Sequence, residues 1–103
     1  MKVSNKQDLV TLLQQHQDHF KKLGVRRFGL FGSFVKDQVN EDSDVDILVM
    51  FEPALKTFNN FMELSIFLED LLGRKVDLIT IESLSPYLGK KILKEAEYVS
   101  LSH

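Results

Sequence analysis

The apolar positions of this chain change their period along its length, and each change predicts a new element of secondary structure. Apolar and aromatic residues recur at helical spacing across 6–23, and Gly24 stands where a C-terminal glycine would end that helix. Two short apolar runs, 25–31 and 44–51, are typical of strands. The segment between them turns polar and predicts a short helical turn within 32–43.

A long apolar run predicts the next helix. Asn60 and Glu63 stand three residues apart, as the two halves of a capping box do, and Gly73 ends the run. Its apolar residues are Phe61, Leu64, Ile66, Phe67, Leu68, Leu71 and Leu72. They are too many for one helical face, so we expect this helix to be buried on more than one side. We also expect most phenylalanines in the core, with Phe58 in or near this helix.

The remaining elements complete an alternating pattern. Residues 75–81 predict a third strand, and Ser85 with Pro86 predicts the N-cap and first position of a last helix that runs to about residue 97. The order is therefore α-β-(α)-β-α-β-α, which favours one α/β domain over 1–103. Because a helix of about a dozen residues separates the second and third strands, we expect them to lie parallel with a right-handed connection.

Composition narrows the class of protein. The 103 residues are 44% hydrophobic, enough for one modest core. With 13 basic and 15 acidic residues the net charge is −2, which disfavours direct, non-specific binding of nucleic acid. There is no cysteine, and therefore no disulfide and no thiolate metal site. Neither a signal peptide nor a membrane-spanning run is visible, so we expect a cytoplasmic protein without a membrane partner.

A pair of acidic residues opens the second predicted strand. Asp44 and Asp46 lie two residues apart, so both carboxylates project from one face of the strand. Like charges held this close favour a bound cation, and hard oxygen ligands suit Mg²⁺ or Mn²⁺ better than zinc. The alternative is a solvated acidic turn, since Glu41 and Asp42 precede the pair. We favour a functional pair because these acids enter an apolar strand.

A single acid occupies the third predicted strand. Asp77 stands between apolar neighbours, on the strand expected to lie parallel to the one with the acidic pair. If the register brings it beside Asp44 and Asp46, three carboxylates can hold two metal ions, the arrangement used for phosphoryl or nucleotidyl transfer. The alternative is an edge-strand carboxylate that merely faces water.

The step from the first strand into the polar loop is a candidate phosphate site. Gly32 lets the backbone turn and approach a ligand closely, while the N–H groups and the Ser33 hydroxyl can receive phosphate oxygens. Lys36, one turn on, is placed to add a positive charge near the terminal phosphates. The alternatives are a simple helix cap for Ser33 and a solvated loop position for Lys36.

These motifs together resemble a known family. Gly32-Ser33, ten intervening residues, Asp44-x-Asp46 and a later single acid are similar to the minimal nucleotidyltransferases of the DNA polymerase beta superfamily, the MntA-like antitoxins of HEPN/MNT toxin–antitoxin pairs. The resemblance covers about 25–99. It implies a polymerase-beta-like α/β (α+β) fold in which a mixed β-sheet is packed with helices.

The resemblance also implies an activity and the residues that carry it. It implies an enzyme that moves AMP from ATP to a tyrosine of a partner HEPN ribonuclease toxin and so silences it. Two Mg²⁺ ions would be held by Asp44, Asp46 and Asp77, which are the catalytic candidates. The nucleoside triphosphate would be gripped at Gly32 and Ser33.

The predicted elements use nearly the whole chain, so we expect the acceptor of the reaction to come from another molecule. A protein acceptor is the interpretation we favour. Two alternatives stay open: an antitoxin that masks its toxin by binding alone, and a small-molecule nucleotidyltransferase that acts as a homodimer. His16 and His19 are spaced like a metal-binding pair but have no third ligand nearby in the sequence, and we assign them no role.

Overall fold

A mixed sheet forms the centre of the fold. The computed structural model describes residues 2–101, and Met1, Ser102 and His103 of the predicted domain lie outside the described residues. Its strands are β1 (Val25–Phe31), β2 (Val45–Phe51), β3 (Val76–Thr80) and β4 (Glu97–Ser100), in the order β3-β2-β1-β4. β1 runs antiparallel to β2 and β4, while β2 and β3 are parallel. The predicted α/β class, mixed sheet and parallel pair are thus confirmed.

Five α-helices flank this sheet in the described part of the chain. They are α1 (Lys6–Gln15), α2 (Gln17–Lys22), α3 (Ser33–Lys36), α4 (Phe58–Leu72) and α5 (Pro86–Glu95). Short 3-10 turns follow β2 at Pro53–Leu55 and β3 at Ile81–Ser83. None of the helices within residues 2–101 combines the length and the apolar character needed to cross a bilayer.

The helix predicted over 6–23 is two helices rather than one. The backbone leaves the helical region at His16, with φ −109° and ψ 21°. The break lets the rings of His16 and His19 both approach Phe67 of α4, with ring centroids 5.8 and 4.2 Å away. Because Phe67 is distant in sequence, helical periodicity alone could not predict this break.

Helix α4 begins earlier and is less buried than predicted. Its N-cap is Thr57, whose hydroxyl accepts the Asn60 N–H at 3.1 Å, so the predicted capping pair beginning at Asn60 is wrong. One stripe of leucines, Leu64, Leu68 and Leu72, is fully buried. The opposite face is exposed, with Phe58 at 76% and Ile66 at 59%, and the expectation of burial on more than one side is wrong. The helix covers the sheet from outside, so only one of its faces meets the core.

The C-terminal part contains a correct prediction and a missed strand. Ser85 caps α5 by accepting the Leu88 N–H at 3.2 Å, and Pro86 is the first helical residue, as predicted. The helix ends at Glu95, two residues earlier than expected, because the chain extends into β4. That strand is only four residues long and lacks an apolar run, so its pairing with β1 is what defines it.

The buried core forms one cluster between the sheet and the helices. Its largest fully buried side chains include Phe20 of α2 and Phe28 of β1, whose rings meet edge to face with centroids 5.0 Å apart. Leu9 and Leu13 of α1 are fully buried in the same cluster. This packing holds β1 and β2 against the helices, and the candidate site lies at their ends.

Candidate active site

The predicted acidic residues gather where three strands share an edge of the sheet. Phe31, the last residue of β1, is paired with Asp46 near the start of β2. Asp46 is in turn paired with Asp77 near the start of β3. Because β2 is antiparallel to β1 and parallel to β3, the end of β1 and the starts of β2 and β3 lie side by side. The register that the sequence argument required between the two strand acids is therefore present.

Asp46 is the central carboxylate of this cluster. Its side chain is half-buried, whereas Asp44, one residue before β2, and Asp77 are exposed. Burial raises the pKa of the Asp46 carboxyl above its usual range, and the negative charges of Asp77 and then Asp44 raise it further. Three carboxylates close enough to influence one another thus face an edge that is open to solvent.

The donor chemistry of the cluster fits a divalent cation. All three groups are carboxylates, the hard oxygen ligands that Mg²⁺ and Mn²⁺ prefer. A cation beside Asp46 would also offset the repulsion from Asp77 and Asp44, which adds to the effect of burial on its pKa. Within residues 2–101, however, no three acidic, histidine or cysteine side chains already stand in a metal-holding arrangement.

Gly32 brings the turn after β1 against the central acid. Its backbone has φ +75° and ψ −148°, a conformation open essentially to glycine alone. A Cβ atom at this position would collide with Oδ2 of Asp46. The glycine predicted as a phosphate seat is thus also required for the close approach of this turn to the acidic cluster.

Ser33 and Lys36 begin and end the short helix α3. The N-cap of α3 is Gly32, with no side-chain capping bond, so the alternative of Ser33 as a simple cap is wrong. The Gly32 carbonyl accepts the N–H groups of Val35 and Lys36, both at 3.1 Å. Lys36 is exposed and takes part in none of the ion pairs found within residues 2–101. The structure therefore joins Gly32 to the acids but shows no contact between Lys36 and them.

Sequence reasoning missed one residue of this region, Arg74. It lies between α4 and β3, is only 9% exposed, and donates from Nη1 to the carbonyl oxygens of Asn40 and Ser43 at 2.9 and 2.8 Å. In the sequence it stands in the polar step Gly73-Arg74-Lys75, which is typical of a solvated turn. The one signal in the sequence is that Arg74 stands just before β3, the strand that contains Asp77.

A cavity lies at the other end of these strands, away from the acidic cluster. It measures about 810 Å³ and is lined by the start of β1, the end of β2 and the 3-10 turn after β3. Its charges are mixed, with Arg26 beside Glu52 at 3.7 Å, and it contains none of the predicted site residues. The acidic cluster therefore stays the better candidate for chemistry on a polyphosphate.

Comparisons with known proteins place the chain in a family. The nucleotidyltransferase domain family matches residues 12–99. The chain is 42% identical over 94 residues to the protein adenylyltransferase MntA of Thermococcus cleftensis, covering 90% of this chain and 94% of that protein.

Solved structures are similar as well. One described as a minimal nucleotidyltransferase has a TM-score of 0.70 and 33% identity, covering 85% of this chain and 93% of that one. A mutant of the toxin–antitoxin pair MntA–HpeT has a TM-score of 0.59 and 25% identity, covering 96% of this chain and 74% of that one. The family match spans most of the chain and the MntA relative is similar over nearly all of it, so this chain belongs to the nucleotidyltransferase family, among the MntA-like protein adenylyltransferases.

Proposed function

We propose that this chain is an antitoxin that transfers AMP from ATP to a tyrosine hydroxyl of a HEPN toxin, in a reaction that depends on Mg²⁺. The observation that carries the proposal is the register of β2 and β3, which pairs Asp46 with Asp77 beside the glycine turn after β1. A cluster of acids next to a backbone turn is the combination that nucleotidyl transfer needs.

Nucleotide binding is assigned to the turn and the short helix after it. Gly32 brings the backbone of this turn next to Asp46, and the half-buried residue Ser33 is the first residue of α3. Backbone N–H groups at such a turn and the hydroxyl can donate hydrogen bonds to phosphate oxygens. Lys36 at the end of α3 is exposed and long enough to add its charge to the triphosphate.

The acidic cluster is assigned to the metal and the acceptor. Asp44, Asp46 and Asp77 would hold two Mg²⁺ ions, which when bound withdraw charge from the α-phosphate and from the leaving pyrophosphate. The exposed Asp77 orients the acceptor hydroxyl and accepts its proton. The tyrosine oxygen then forms a bond to the α-phosphorus, the bond from that phosphorus to the bridging oxygen breaks, and pyrophosphate leaves.

The choice of a protein acceptor is supported by the relatives. The Thermococcus protein is named a protein adenylyltransferase, and the MntA–HpeT structure is named a toxin–antitoxin. The open edge of the acidic cluster supports the same choice, since Asp44 and Asp77 are exposed to an approaching molecule. A large acceptor can therefore reach the site without any opening of the fold.

The test is transfer of label from α-labelled ATP. The purified chain, the toxin encoded beside it and Mg²⁺ should give labelled toxin, and Asp46→Asn should abolish the label. Asp18→Asn is the matched control, because Asp18 is an exposed acid on α2 outside the cluster, and it should label the toxin at the wild-type rate. Absence of labelled toxin with the wild-type chain would refute the proposal.

A masking antitoxin is the second candidate function. It is favoured by the exposed apolar face of α4, where Phe58, Met62 and Ile66 are 76%, 41% and 59% exposed. In that case Asp46→Asn would still neutralise the toxin in cells. Labelled low-mass products formed without any toxin would instead indicate a small-molecule enzyme, with a homodimer as its expected form.

A further inference from the structure

Arg74 is a buried cation held by carbonyl oxygens. Among residues 2–101, Arg74 is the one charged residue that is buried. None of the ion pairs found in that part of the chain includes it. Its Nε donates to the Val3 carbonyl at 2.7 Å, and its Nη1 donates to three carbonyls of the loop before β2, at 2.8 Å to Ser43, 2.9 Å to Asn40 and 3.5 Å to Glu41. Burial of a charge is costly without such partners, so this arrangement ties separate segments together strongly.

Arg74 and Lys75 make hydrogen bonds to the residues on either side of Asp44. The Ser43 carbonyl, just before Asp44, accepts from Arg74 at 2.8 Å. The Val45 N–H, just after Asp44, donates to the carbonyl of Lys75 at 3.0 Å. Consecutive residues before β3 therefore hold the backbone on both sides of Asp44.

The same segment fixes the other parts of the cluster. Two residues after Lys75 comes Asp77, whose backbone is paired with Asp46. The Arg74 guanidinium also lies over the ring of Phe34 in α3, with Cζ 5.3 Å from the ring centroid. Arg74 thus contacts both the short helix α3, which we assign to nucleotide binding, and the loop that leads into Asp44.

We propose that Arg74 is a positioning residue of the active site: through the Ser43 carbonyl it fixes Asp44, and so sets the affinity of the site for a divalent cation. This inference rests on the proposed function. Arginine is required because its planar fork reaches the N-terminal segment from Nε and the loop from Nη1, whereas lysine offers a single donor atom.

The test compares Arg74→Lys with the wild type and with a control variant that only removes apolar side-chain atoms from the core. Val99→Ala is the control, because Val99 is buried in β4, on the far edge of the sheet from β3. Mn²⁺ affinity is measured by calorimetry, and label transfer is measured over a range of Mn²⁺ concentrations. We expect Arg74→Lys to bind Mn²⁺ about 10-fold more weakly, the usual scale for residues that support metal ligands. Its rate at saturating Mn²⁺ should stay within about twofold of the wild type, and Val99→Ala should keep the wild-type Mn²⁺ affinity.

A second variant covers the case in which Arg74→Lys does not fold. The Ser43 hydroxyl accepts the Asn40 N–H at 2.9 Å, so Ser43→Ala loosens the same loop without exposing a buried charge. We expect it to weaken Mn²⁺ binding severalfold with little change in Tm.

The outcomes separate the two proposals. Wild-type Mn²⁺ affinity in both Arg74→Lys and Ser43→Ala would overturn the role of Arg74 while leaving the proposed function intact. A wild-type chain that neither binds Mn²⁺ nor labels its toxin would overturn the proposed function itself. Equal loss of Mn²⁺ affinity in Val99→Ala would show that general destabilisation is the cause, and would also overturn the inference.

Discussion

Replacement of Gly32 by alanine tests the tightest contact of the candidate site. The added methyl group has two separate costs. It forces an L-residue into φ +75° and ψ −148°, and it places a carbon against Oδ2 of Asp46. The first cost belongs to the turn alone, while the second depends on the carboxylate.

The magnitude follows from these two terms. A non-glycine residue in this backbone region costs about 1–3 kcal/mol. The collision adds less, because the Asp46 side chain can rotate, but rotation moves the central acid away from its place between β1 and β3. For a domain of this size each kcal/mol lowers Tm by about 4–8 °C. We therefore expect a clear loss of stability and a loss of label transfer larger than the unfolded fraction explains.

Thermal unfolding and label transfer are measured together, with Gly29→Ala as the matched control. Gly29 lies in β1, the strand that leads into Gly32, but has no positive φ, and a Cβ there would meet the Tyr98 ring at 3.3 Å, a contact that a small shift of that ring relieves. The Asp46→Ala background isolates the collision, since without Oδ2 only the backbone strain should remain. Gly32→Ala should thus cost less stability in that background than in the wild type.

Two results would contradict this reasoning. If Gly32→Ala is no more destabilising than Gly29→Ala, the turn does not need its glycine conformation. If the cost of Gly32→Ala is the same with and without the Asp46 carboxylate, the close approach of the turn to the acid is wrong.

Three further predictions concern the acidic cluster and helix α4. The pKa of Asp46 is raised in the folded state, so its protonated form favours folding, and the stability that it contributes is lost as pH rises through that pKa. Without metal, Asp46→Asn should therefore raise Tm at pH 7 and flatten the fall of Tm between acid and neutral pH; an unchanged pH profile would contradict this. Leu68→Ala should cost about 2–5 kcal/mol of unfolding free energy because Leu68 is fully buried, whereas Ile66→Ala on the exposed face should cost no more than about 0.5 kcal/mol, as urea unfolding would show. Thr57→Ala should cost about 1 kcal/mol through loss of the cap on Asn60, and an effect near zero would show that α4 begins elsewhere.

Local patterns in the chain predicted much of the fold. The apolar runs located β1, β2 and β3, and the crossover length predicted that the last two are parallel. Gly73 ends α4 in the left-handed conformation and Ser85 caps α5, because such signals act within one turn of the chain. The spacing of Asp44, Asp46 and Gly32 pointed to the family for the same reason, since these residues lie within one short stretch.

Other features depend on partners that are distant along the chain. The break at His16 lies against Phe67 of α4, and β4 exists as a strand because it pairs with β1. The exposed face of α4 follows from which side of the helix meets the sheet, which apolar content does not specify.

The sequence by itself therefore determined the strands β1 to β3, the order of the helices around them and the acids that belong to the family's motif, but not β4 or the division between α1 and α2. Only the tertiary structure decided that Asp46 lies against Gly32 and opposite Asp77, and that Arg74 is buried rather than solvated. The physical reason is that periodicity and caps are set by neighbouring residues. Register, burial and carbonyl partners are set by segments brought together when the sheet forms.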